Sequence, residues 1–152
     1  MDFEKQAVKG SRFLNELAIA LGDRSGTGRA GRLLQAVFRA LRQRLTLDES
    51  FQMLSQLPMP LKAVYVDGWI PAKKSKEIAR KTDFILEVMA LEGNTSWKDF
   101  SNVEEGTNAV ITVFRILRKH ISDGEFEDMI HVLPSQLKKL MKRSMKEAET
   151  AN

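Results

Sequence analysis

Cysteine is absent from this 152-residue chain, which removes disulfides, thiolate metal ligands and thiol nucleophiles in one step. Such a chain suits a reducing compartment, and a cytoplasmic location is the expectation. Apolar runs are short: stretches such as residues 17–21 fall far below the ~20 residues that a spanning helix needs, so no membrane span is expected. Asp2 and Glu4 precede any apolar run, which does not suit a secretory signal. The chain has only two histidines, neither in an H-E-x-x-H pattern, and it has no G-x-S-x-G elbow. No segment alternates apolar and polar residues for long enough to read as a strand. These gaps leave no catalytic residue, no metal site and no cofactor to expect.

What is present is a core. The hydrophobic fraction of 43% lets a chain of this length fold without staples. The net charge is +4 and the isoelectric point about 9.4, which raises the question of nucleic acid. The excess is unevenly placed: +3 over residues 1–72, +3 over 73–83 and −2 over 84–152. It does not form one long basic face, so it speaks to solubility and weak association more than to a dedicated partner.

The chain also resembles itself. A shift of 76 positions sets Phe38-Arg39-Ala40-Leu41-Arg42 on Phe114-Arg115-Ile116-Leu117-Arg118, Leu45 on Ile121, Glu49 on Glu125, Met53 on Met129 and Leu57-Pro58 on Leu133-Pro134. A shift of 71 sets Phe13 on Phe84 and Leu17 on Val88, which leaves a five-residue insertion around 94–100. The expected fold is all-α: two pseudo-repeated four-helix units, residues 1–70 and 71–152, packed as one compact bundle-like domain.

Each unit carries its own start and stop signals. Phe13, Leu14, Leu17, Ala18 and Leu21 recur at helical spacing, and Gly22 ends the run. Leu33, Leu34, Val37, Phe38, Leu41 and Leu45 form the apolar stripe of a second helix, with Arg29, Arg32, Arg39 and Arg42 on its other side. Thr46-Leu47-Asp48-Glu49 and Ser122-Asp123-Gly124-Glu125 each place a hydroxyl three residues before a glutamate, the signature of a capping box opening a third helix. Pro58 and Pro134 open a fourth, buried through Leu61, Val64 and Tyr65 and through Leu137, Leu140 and Met141. Gly68 suits the left-handed residue after that helix, with Trp69 folding back on Val64. Basic residues at 73–76 lead into the second unit by a short connection.

These motifs resemble a known family. Phe38-Arg39-Ala40-Leu41-Arg42, the capping box, Leu54-Ser55-Gln56-Leu57-Pro58 and Tyr65-Val66-Asp67-Gly68-Trp69 are similar to the bacterial domain-of-unknown-function family 2267. The second unit matches through Phe114 to Arg118, the acidic run from Asp123 to Asp128, and Val132-Leu133-Pro134; it departs at Ser144-Met145, where the first unit has Gly68-Trp69. The resemblance implies a small bacterial all-α protein and no particular activity.

Several residues invite a chemical reading. Gly26-Thr27-Gly28-Arg29-Ala30-Gly31 fits G-x-G-x-x-G with Asp48 downstream, but dinucleotide binding needs a strand before the glycines, and the preceding period is helical. The segment reads as a loop. Asp128 and His131, with Glu127 nearby, would need inward carboxylates from other helices to hold a metal, and Gln52 and Ser55 stand at the equivalent first-unit positions. His120 suits a helix C-terminus, where a cation meets the last carbonyls.

Arg29, Arg32, Arg39 and Arg42 are the candidate anion or partner contacts. Only Arg39 and Arg42 recur, as Arg115 and Arg118, which points to a structural role such as bonding Glu49 and Glu125. Lys138, Lys139, Lys142, Arg143 and Lys146 form a basic face on the last helix. Tyr65, Trp69 and Trp97 are the candidates for a pocket between the units. The expected function is a non-enzymatic protein-interaction or regulatory module, with a protein partner or self-association. The alternative is binding of nucleic acid or another polyanion through basic helix faces.

Overall fold

The computed structural model of the chain describes residues 1–71, 80–93 and 99–150, apart from the side chains of 144, 145 and 147–150. Among these residues there are eight helices and no strand. They are α1 (Phe3–Ala20), α2 (Gly28–Arg44), α3 (Leu47–Gln56), α4 (Met59–Val66), α5 (Lys81–Leu91), α6 (Val103–His120), α7 (Asp123–His131) and α8 (Ser135–Thr150). The basic residues at 73–76 and Trp97 lie outside the described residues. No helix among those described is long and apolar enough to cross a membrane.

The end signals act as the sequence leads one to expect. Asp2 caps α1 by accepting from the Lys5 N–H at 3.0 Å. At the other end Gly22 takes φ +74°, its N–H donates to the Ile19 carbonyl, and the Asp23 N–H reaches back to Ala18. That is the six-to-one and five-to-two closure of a glycine-terminated helix. Both capping boxes form: the Thr46 N–H donates to Glu49 at 2.8 Å, and the Ser122 N–H to Glu125 at 2.9 Å. Pro58 and Pro134 each precede a helix and accept from its first free N–H groups through their own carbonyls. Gly68, at φ +65°, turns the chain after α4.

Three details differ from the sequence reading. The glycine segment is only partly a loop, because Gly28 to Gly31 lie in the first turn of α2 behind Thr27 as N-cap. The helix through Phe13 extends back to Phe3, where the apolar spacing is too sparse to register in the sequence. Trp69 folds back on Tyr65 and Phe51, with ring centroids at 5.8 and 6.4 Å.

One continuous set of buried side chains draws on all eight helices. At its centre lie α2 and α6, each with nine buried residues, because their apolar stripes are wide enough to be covered from more than one side. Helices far apart in sequence interlock: α1 packs against α6, α5 against α2, and α3 against α7. Arg44 ties the same seam, buried over the Phe84 ring at 5.9 Å and 3.7 Å from Glu87.

Candidate functional site

The outer face of α2 carries the arginine row, and the structure turns Arg29 and Arg32 to one partner and Arg42 to another. Arg32 donates through Nε and Nη2 to the two carboxylate oxygens of Asp99, at 3.2 and 3.0 Å. This is the paired geometry that a planar guanidinium offers a carboxylate. Arg29 donates to the Asp99 carbonyl at 2.7 Å and lies over the Phe100 ring at 5.9 Å. The anion met by these two arginines is therefore one of the protein's own. Asp99 sits in the stretch that the repeat alignment marks as an insertion, 67 residues from Arg32, and only tertiary folding brings them together.

Asp99 is 5% exposed, and beside it lies Glu92, 8% exposed, at the C-terminus of α5. The two carboxyls are close enough to act on each other's titration. Burial, then neighbouring Asp99, pushes Glu92 up to about 8. Burial also acts to raise Asp99, but neighbouring Glu92 and the bonds from Arg32 prevail and hold it below its ordinary value. The bond to Asp99 in turn raises Arg32. At neutral pH the carboxyl pair thus retains one proton and carries one negative charge, set against two guanidiniums.

Arg42 serves the scaffold. It donates from Nη1 to the carbonyls of Tyr65 and Asp67, at 2.9 and 2.8 Å, and so satisfies the C-terminal end of α4. Arg39 is half-buried beside it. The expected bonds to Glu49 and Glu125 are replaced: both glutamates close their own capping boxes, and Arg118 lies 3.8 Å from Asp123.

Tyr65 is fully buried. Its hydroxyl pairs with Ser50 at 2.8 Å, and its ring packs on Phe38 at 5.4 Å and on Trp69. Burial drives its pKa up to about 12. Tyr65 and Trp69 thus stand together in a packed aromatic cluster within the first half, whereas Trp97 falls outside the described residues. His131, Asp128 and Glu127 are exposed on α7, and among the described residues no group of three His, Asp or Glu side chains is placed to hold a metal ion. His120 does end its helix, but its partner is Glu16, at 2.8 Å, with the Phe13 ring edge-on at 5.1 Å.

A further feature escapes the sequence reading. Between α1 and α4 runs an open groove of about 700 Å³, lined by Phe3, Ala7, Leu54, Met59, Ala63 and Val66 among others. In this lining Met1 is 73% exposed and Phe3 77%, while Phe51 and Ile70 are exposed elsewhere on the first half of the chain. Exposed apolar residues scattered singly are ordinary, whereas those of the groove lining stand side by side. The sequence signal lay in the self-comparison: at the 76-position shift, Met59, Ala63 and Val66 of the lining fall on Ser135, Lys139 and Lys142.

No curated protein matches the chain. The sequence of one family does, over residues 10–140: the chain belongs to the family described as "Uncharacterized conserved protein (DUF2267)".

Proposed function

We propose that this chain is a duplicated helical module of the bacterial cytoplasm that acts by binding protein and not by catalysis. The observation that carries the reading is the apolar face of the first half. A fold that needs apolar residues there would need them in both halves, and the second half carries charge at the corresponding exposed positions.

Support for the duplication comes from the exposure pattern. Buried Met53, Leu57, Leu61 and Tyr65 are answered by buried Met129, Leu133, Leu137 and Met141, and exposed positions 59, 63 and 66 by exposed 135, 139 and 142. The packing is reciprocal as well, the first helix of each half lying on the second helix of the other. Against that shared frame, the groove is a departure in composition at positions whose exposure is unchanged.

The polyanion alternative has narrower support than the charge alone gives it. Arg29 and Arg32 are engaged with Asp99, and Arg42 with backbone carbonyls. It rests on the exposed lysines of α8, among them Lys139, Lys142 and Lys146. Chemical cross-linking in cells followed by mass spectrometry tests the interaction reading. The expected outcome is a specific protein, this chain included, joined through α1 or α4. Recovery of nothing specific, together with a salt-sensitive mobility shift of DNA or RNA lost on changing the α8 lysines to glutamate, would replace the reading with the alternative.

A further inference from the structure

The groove also has a geometry that selects its occupant. The core stripe of α1 passes from Phe13 to Gly10, where the helix crosses Pro60 so closely that an added Cβ would lie 3.1 Å from the proline ring. The stripe then continues through Ala7 and Phe3, which no helix among the described residues covers. One surface therefore bears both a projecting aromatic residue and a recess beside it.

We propose that this face closes a two-fold homodimer, in which the α1 overhang of each copy lies in the α1–α4 groove of the other. A two-fold contact uses one patch twice and needs projection and recess together on that patch. Of the groove lining, the exposed apolar residues Met1, Phe3, Met59 and Val66 present roughly 500 Å². With the backbone ridges around them, this approaches the ~800 Å² per partner of a standard stable interface. Among the described residues of the groove lining, Lys62 carries the one charged side chain. The second half shows that the helices tolerate a polar surface at these positions, since Ser135, Lys139 and Lys142 replace Met59, Ala63 and Val66.

This inference rests on the interaction reading and adds the identity of the partner. The test is sedimentation of the full chain over a range of concentrations, beside the triple variant Met59→Ser, Ala63→Lys, Val66→Lys, which borrows residues that the second half already carries. The wild type is expected to sediment as a dimer at ~50 µM. The variant is expected to weaken dimerisation at least ~30-fold, because each change is met twice across the axis, while keeping its helical circular dichroism. Because the chain lacks cysteine, Ala63→Cys and Lys139→Cys offer unique labels, and a short bifunctional maleimide should capture dimer from the first and not from the second. A wild type that stays monomeric at ~200 µM, or a dimer that the triple variant leaves intact, overturns the proposal. If the monomer instead captures another protein and the triple variant releases it, the second-copy inference fails and the interaction reading stands.

Discussion

Changing Glu92 to glutamine should remove a pH dependence of stability that this one carboxyl imposes on the fold. Glu92 moves from an ordinary 4.5 to about 8 in the folded chain, chiefly by burial and then by neighbouring Asp99. A carboxyl raised in this way is favoured by folding when protonated. Its stabilising contribution is fully present below pH 4.5 and is lost as the pH rises through 8. At about 1.4 kcal/mol per pH unit between those values, wild type should lose about 4 kcal/mol relative to the glutamine variant between pH 5 and pH 9. Glutamine is neutral and close in shape to the protonated glutamic acid, so the two proteins should differ by little at pH 5. Urea unfolding of both proteins at pH 5, 7 and 9 reads this out. Taking the difference between them cancels the titrating groups remote from the pair, and Asp99, whose value is lowered, stays ionised across this pH range. A wild-type-minus-variant difference that stays flat from pH 5 to pH 9 would refute the account of the carboxyl pair.

Two other substitutions probe the scaffold. Tyr65→Phe removes the hydroxyl that pairs with buried Ser50 at 2.8 Å and should cost about 1–2 kcal/mol in chemical unfolding, with the Trp69 fluorescence environment retained. Thr46→Ala and Ser122→Ala each delete a capping hydroxyl and should each cost about 1 kcal/mol. Clearly unequal losses would argue against equivalent roles for the two third helices.

Most of the fold was legible because its signals are local. The stripes of α2 and α6, the two capping boxes and the turn glycines each specify a helix or its end within a few residues of sequence. The recurrence of Arg42 at Arg118 likewise pointed to a scaffold role, though the partners differ: Arg42 ends on α4 carbonyls, a contact made across 23 residues that leaves no trace in spacing. The Asp99 cluster was hidden for the same reason. An acid in an insertion and two arginines on a distant helix look solvent-facing until folding places one over the other. The groove was missed because Phe3 and Ala7 are too few to register as a periodic stripe, and because an apolar residue gives no sign in sequence of whether anything covers it. Only the charged residues at the corresponding second-half positions mark that face as unusual.

Concentration-dependent hydrogen–deuterium exchange of the intact chain tests the central claim most directly, since it reports both whether a surface becomes covered and where. The account predicts that protection of amides at 3–10 and 59–70 rises with protein concentration, while 135–143, on the corresponding helix of the second half, exchanges at an unchanged rate. Protection that appears on α8 instead, or exchange independent of concentration at every peptide with no added protein able to slow it at α1 and α4, would contradict the assignment of this face as the interaction surface.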